Sequence, residues 1–397
     1  MSDITYIGQT NFRNERKTFG IRQADRLSHM YIVGKTGTGK STLLETLICQ
    51  DIAAGRGCAV VDPHGDLAER VISSVPSERR KDLIYFNVPD TRRPLGFNPL
   101  SGVPPRRRAL VASGILEAFK KIWIDSWGPR LENVLRYSLL ALLDQPHATL
   151  ADVLRLFDDA AFRKHVAGRA SNPHVRAFWL REYERYPARL RADATSPIRN
   201  KVGAFLSTPI LARIITAEKS SFNLRRVMDE GKIFVVNLAK GKIGEDTASL
   251  LGALLVSMIG DAALSRADLP EDERRDFHVY LDEYETFATL SLANMTSELR
   301  KYHTSLILTQ HYLSETDPRI RDAILGNIGT LISFRVGAAD AEILTKEFYP
   351  VFRSDDLVRL PNYSIYLKLM IDGVVSRPFS ADTLLPDYSP RTSYKDI

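Results

Sequence analysis

Gly34-Lys35-Thr36-Gly37-Thr38-Gly39-Lys40-Ser41 follows the apolar run MYIV and precedes STLLETLICQDIAAG, whose apolar spacing is helical. Gly34, Gly39, Lys40 and Ser41 meet the pattern G-x-x-x-x-G-K-[ST]. In such a loop the glycines let backbone N–H groups turn inward and cradle phosphate oxygens. Lys40 sets a cation against the β- and γ-phosphates, and the Ser41 hydroxyl is placed to ligate Mg2+. The helix starting there aims its positive end at the anion. The expected binding set is Gly34, Lys35, Thr36, Gly37, Thr38, Gly39, Lys40, Ser41 and Thr42, with ATP and Mg2+ as the expected ligands.

A loop of this kind needs a second ligand for the metal, a carboxylate. FHVYLDEYE supplies it as an apolar strand ending in Asp282, followed by Glu283. Asp282 is expected to hold Mg2+, directly or through water, and Glu283 to act as general base on the attacking water. A small GTPase would use glutamine for the water and an N-K-x-D reader for the base; NKVG at Asn200 is not that motif. Gln310 ends the next strand, SLILTQ. Ligands of parallel sheets bind at the carboxyl ends of strands, so Gln310 is expected to reach the γ-phosphate or its water. Asp62, closing CAVVD, borders the same crevice, and His64 reads as a loop residue.

Around this centre the chain alternates strand and helix over its first hundred residues, in apolar runs that suit a parallel sheet covered on both faces. From Val103 to Thr216 strand signals nearly vanish and helical patterns follow one another. Strands return at GKIFVVNL, and the tail alternates around Asp372-Gly373, a hairpin signal. The expected fold class is α/β with a parallel central sheet, an all-α insertion and a C-terminal β-hairpin. The expected boundaries are 1–102, 103–216 and 217–397.

The chain's 397 residues exceed one ordinary core, and 44% hydrophobic residues predict packed domains rather than disorder. A net charge of +6 permits a polyanionic partner without requiring one. Two cysteines, Cys49 and Cys58, lack metal-site spacing and suit a reducing compartment. The N-terminus lacks the apolar core of a signal peptide. LLGALLVSMIG, from Leu250, reads as a buried helix too short to cross a bilayer. A cytoplasmic location is expected, or a peripheral one at the inner face of the cell membrane through partners.

With these motifs placed, the chain resembles the TraG/TraD-type coupling proteins of conjugative type IV secretion, within the HerA/FtsK group of ring-shaped DNA motors. The likeness runs over nearly the whole chain, through HMYIVGKTGTGKSTLLE, AVVDPHGDLAE, SWGPRLENVLR, VNLAKGKIGED, VYLDEYETFAT and GNIGTLISFRVGAADAE. It implies a RecA-like P-loop motor domain interrupted by an all-α domain, and a homo-hexamer hydrolysing ATP at subunit interfaces while moving single- or double-stranded DNA. It implies a relaxase or a type IV secretion channel as partner. Coupling proteins of this type carry N-terminal transmembrane helices and no such pattern is visible here, so either a membrane-anchoring subunit is expected or the chain belongs to a soluble branch. Arg335 resembles the arginine finger that acts in trans on the neighbouring site, with Arg300 the second candidate. Lys240 and Lys242 sit in a Lys-Gly-Lys loop that either lines the channel and meets DNA phosphates or is simply solvated. Two other functions share these motifs: a HerA-like motor serving repair or defence with a partner nuclease, and a nucleotide-gated adaptor for protein cargo.

Overall fold

The computed structural model of the chain describes residues 3–12, 15–124 and 127–386. In chain order its first strands are β1 (Ile4–Thr10), β2 (Thr18–Arg22), β3 (Met30–Val33), β4 (Gly57–Asp62) and β5 (Leu83–Asn87). After a long helical stretch come β6 (Ile233–Asn237), β7 (Phe277–Leu281), β8 (Thr304–Gln310) and β9 (Thr330–Ser333). The chain closes with β10 (Ser364–Lys368), β11 (Met370–Ile371), β12 (Val374–Val375) and β13 (Phe379–Thr383). All but β11 and β12 join one 11-stranded sheet in the order β2-β1-β13-β10-β9-β3-β8-β7-β4-β6-β5.

The pairings β9-β3, β3-β8, β8-β7, β7-β4 and β4-β6 are parallel. Their strands are buried along their whole length, which explains their unbroken apolar runs. Beyond β9 the sheet turns antiparallel through β10, β13, β1 and β2. β1 and β2 carry no clear sequence signal; β2 pairs with β1, and β1 pairs across the chain with β13, Gly8 opposite Thr383. The expected hairpin at Asp372-Gly373 is present as β11 and β12.

The chain forms two compact units. One comprises residues Met1–Phe86, Leu224–Ala239 and Ala262–Ile397, and carries the sheet; the other comprises Asn87–Asn223 and Lys240–Asp261. In the first, the helices Lys40–Ala53 and Asp66–Ser74 set Leu43, Leu44, Leu47, Ile48, Leu67 and Val71 against one sheet face. There they meet Ile32, Val60, Val235, Ile307 and Ile332 in a single apolar core. The helix Lys40–Ala53 is further fastened by a buried ion pair. Asp51 accepts from both terminal nitrogens of Arg26 at 2.6 and 2.9 Å, and Tyr280 donates its hydroxyl to the same carboxylate.

Burial alone would push the Asp51 carboxyl up. The Arg26 guanidinium, helped by Tyr280, outweighs it and holds Asp51 well below the usual carboxylate range. This contribution to stability is complete above the unfolded pKa of about 4 and is lost as pH falls through the depressed folded value. Asp51→Ala strands a buried guanidinium and is expected to destabilise the fold by about 3–5 kcal/mol, measured by chemical denaturation at neutral pH. A loss below about 1 kcal/mol would mean that Arg26 finds water or another partner.

In the second unit no strand occurs among the described residues of 105–215. Trp179 and Phe178 are core residues there, and the Trp179 indole donates to the Tyr137 carbonyl at 3.1 Å. Pro187 breaks the helix as its ring requires, and the next one runs Ala188–Leu206. Arg181, Arg185 and Arg189 are exposed. In PPRRRAL, Arg107 and Arg108 pair with Asp261 and Asp144, which gives them a structural task. A Cβ on Gly114 would stand 2.1 Å from the Ser257 hydroxyl oxygen, so the helices Arg108–Ile122 and Glu245–Ser265 approach closely at that point. The latter helix is long and apolar enough to cross a membrane by composition, yet most of it is buried inside the protein.

Candidate nucleotide site

β3 delivers the chain into the loop 34–39, and the helix Lys40–Ala53 begins at its end. Gly39 has φ 122, a conformation closed to other residues without strain. Gly34 is needed for a different reason: a Cβ there would lie 2.5 Å from the Phe334 Cβ. The loop is tied down on two sides. The Lys35 amide donates to the Arg335 carbonyl at 2.8 Å, and the Tyr363 amide donates to the Thr38 carbonyl at 2.8 Å. Ser41 and Thr42, in the first turn of the helix, are half-buried.

Lys40 is buried, and its ammonium folds back onto the loop. It donates to the carbonyl of Gly34, to that of Lys35 at 3.1 Å, and to His311 Nδ1 at 2.8 Å. Burial lowers its pKa to about 8, against the opposing pull of Asp282, Glu285 and Glu283. Near neutral pH it remains mostly charged.

β7 ends one strand away from β3, with β8 between them. Asp282 and Glu283 follow it at once. Asp282 accepts from the Thr309 hydroxyl at 2.6 Å, and burial raises its carboxyl above the ordinary range. Glu283 sits at φ 46, ψ 57, a left-handed conformation costly for a glutamate and held by its surroundings. Its amide donates to Thr309 Oγ1 at 3.1 Å. Its Oε1 accepts from two imidazoles, His64 Nε2 at 2.8 Å and His311 Nε2 at 2.7 Å.

The structure therefore brings Lys40, Asp282 and Glu283 together, and adds two histidines that sequence reading left out. Gln310 is corrected. Its side chain is fully buried, bonded to the Tyr31 hydroxyl and, at 2.7 Å, to the Thr316 hydroxyl. Side chains alternate along a strand, so the face that Gln310 turns away from the loop leaves His311 beside Lys40. Asp62 is equally internal. It accepts from the amides of His64 and Ala68 at 2.8 and 2.9 Å and so fixes the turn that presents His64. The signal for both histidines was their position just past the carboxyl ends of parallel strands.

Arg335 lies two residues past β9. Its guanidinium donates to the Leu360 carbonyl at 3.1 Å and to Asn362 Oδ1 at 2.9 Å. Arg300 is exposed and precedes β8, at the opposite end of the parallel strands from the loop. The Lys-Gly-Lys segment is corrected from a flexible loop to a helical turn, Lys240–Ile243, with Lys242 exposed and Lys240 half-buried.

The sequence profile of the family described as "Helicase HerA, central domain" matches residues 21–258. No curated protein sequence matches the chain. Among solved structures, the unbound bacterial conjugative coupling protein TrwBdeltaN70 is similar with a TM-score of 0.65 at 16% identity, over 94% of this chain and 89% of that one. TrwB in complex with the ATP analogue ADPNP gives 0.67 at 17%, over 93% and 88%. VirB4 of Thermoanaerobacter pseudethanolicus gives 0.64 at 15%, over 98% of both chains. At such identities the structural likeness establishes the fold, an α/β P-loop fold shared with these proteins. The profile match spans more than half of the sequence, and the chain belongs to the family of the HerA helicase central domain.

Proposed function

We propose that the chain is a Mg2+-dependent ATP hydrolase that assembles into rings, as a homo-hexamer, and moves DNA for conjugative transfer by a type IV secretion system. One observation carries the reading. The ends of β3, β8 and β7 bring a phosphate-cradling loop, its lysine and a carboxylate pair into one hydrogen-bonded set. Supporting it, the similar TrwB was solved with ADPNP and with ADP and Mg2+, and is described as a conjugative coupling protein.

In this reading the loop amides beyond Lys35 and those of the first helical turn hold the phosphates, and Lys40 turns to them. Ser41 and Asp282 would hold Mg2+, which when bound neutralises phosphate charge. The residues fit such an ion: Asp282 is a buried carboxylate whose charged form burial disfavours, so a bound cation would stabilise it. Among the described residues no group of three or more His, Cys, Asp or Glu forms a ready-made metal cluster. That suits an ion taking most of its ligands from phosphate and water. Glu283 accepts the proton of the attacking water. Gln310 supports β8 through Tyr31 and Thr316. Arg335 of a neighbouring copy stabilises the transferring phosphoryl group, with Arg300 as the second candidate, and Lys240 and Lys242 meet DNA phosphates. The ring works in the cytoplasm or at the inner face of the cell membrane, through an anchoring subunit and a relaxase or channel.

A second reading, a HerA-like motor in repair or defence with a partner nuclease, has the family match in its favour. Both motors predict that DNA raises the steady-state ATPase rate and that salt weakens the stimulation. The measurement uses single- and double-stranded DNA, with Lys40→Ala as the blank. A rate indifferent to both forms would sink the translocase and leave a nucleotide-gated adaptor driven by protein partners.

A further inference from the structure

An ammonium has three hydrogens and accepts none. Those of Lys40 are all engaged within the chain: by the carbonyls of Gly34 and Lys35 and by Nδ1 of His311. Because the lysine only donates, Nδ1 must be the accepting nitrogen of a neutral ring. The hydrogen of His311 then sits on Nε2 and is donated to Glu283 Oε1 at 2.7 Å. His64 Nε2 donates to the same oxygen at 2.8 Å. A single imidazole therefore joins the lysine of the phosphate loop to the carboxylate of the base.

We propose that His311 is a positioning residue that couples phosphate occupancy at Lys40 to the placement of Glu283. The proposal rests on the ATP-hydrolase reading of this site. A phosphate approaching Lys40 has to displace one of three existing bonds. Two belong to the loop's own backbone, which the glycine geometry and the bonds to Arg335 and Tyr363 hold in place. The third belongs to a side chain that can turn about its own torsions. Displacement at Nδ1 turns the ring, and with it the Nε2–H that restrains Glu283. The carboxylate follows the hydrogen it accepts, so the ring sets the place of Glu283 according to what Lys40 holds. This link explains why a histidine follows Gln310, where a strand end could otherwise close on any polar residue.

The test compares the full-length chain with His311→Ala and His311→Gln. A fluorescent, non-hydrolysable ATP analogue reports binding, and steady-state hydrolysis reports kcat and KM. His311→Ala removes the bond that phosphate must displace, so the analogue is expected to bind about 3–10-fold tighter. Its kcat is expected to fall about 10–100-fold, as misplacing a reacting group does. Glutamine can accept from Lys40 through its oxygen and donate to Glu283 through its nitrogen. His311→Gln is therefore expected to recover kcat to within about fivefold of the parent, which a merely structural role for the ring would not predict. An alanine variant with parental kcat, or with weakened binding, would overturn the coupling. So would a glutamine variant as slow as alanine. A parent chain that binds no analogue and hydrolyses nothing would instead bring down the nucleotide reading itself. A parent that binds and turns over beside an unchanged alanine variant removes only the coupling.

Discussion

Glu283→Gln is expected to leave ATP bound and to slow its hydrolysis by about 10²–10⁴-fold, the range a positioned general base contributes. Glutamine keeps the size of the side chain and its capacity to accept from His64 and His311, which meet Glu283 Oε1 at 2.8 and 2.7 Å. It cannot take a proton. The left-handed backbone at φ 46 is no harder for glutamine than for glutamate, so the fold should be untouched. Single-turnover hydrolysis beside an equilibrium binding titration separates the two effects. Normal turnover would remove Glu283 from the base role; weakened binding with normal single-turnover chemistry would make it a ligand-holding residue. DNA stimulation should vanish with the chemistry, because both depend on the same step.

Arg335→Ala is expected to cost more, about 10³–10⁵-fold in kcat, if its guanidinium reaches the phosphoryl group of a neighbouring copy. Within one chain that guanidinium is held by Leu360 and Asn362, two hydrogen bonds it would have to trade for the phosphate. Its own carbonyl accepts from the Lys35 amide, so the residue also borders the loop of its own subunit. Mixing decides between the two. Lys40→Ala subunits have no working loop but still carry Arg335, and adding them to Arg335→Ala subunits should restore part of the rate. Failure of the mixture to exceed the sum of its parts would assign Arg335 to its own loop. Asn362→Ala serves as the control, since it releases the guanidinium without removing it.

The places of the loop and of the Asp282–Glu283 pair at strand ends were legible because each is a short motif that directly follows an apolar run. The parallel strands were legible as apolar runs buried on both faces. What escaped depended on phase or on distant partners. Whether Gln310 or His311 faces Lys40 is decided by the register of β8 between β3 and β7, where Thr309 and Gln310 lie beside Ile32 and Val33. His64 looked like a loop residue because its placement comes from Asp62 bonding the amides of the following turn. β1 and β2 have weak alternation, and β1 pairs with residues at the other end of the sequence. Lys240 and Lys242 read as a loop because glycine separates them, yet Ile243 is buried and the segment coils into a helical turn.

Three consecutive positions at the end of β8 act as a gauge block between the two halves of the site. Thr309 touches Asp282 and the Glu283 amide, the Gln310 carbonyl receives the Gly34 amide, and His311 spans Lys40 and Glu283. A one-residue insertion after Leu308 would turn every one of these groups to the opposite face. The sheet could still form, but the loop would lose its anchor and the base its restraint in the same stroke. The spacing between loop and base is thus set by the thickness of a single strand, and the tolerance for change at residues 309–311 is that of a measuring piece rather than of a connecting loop.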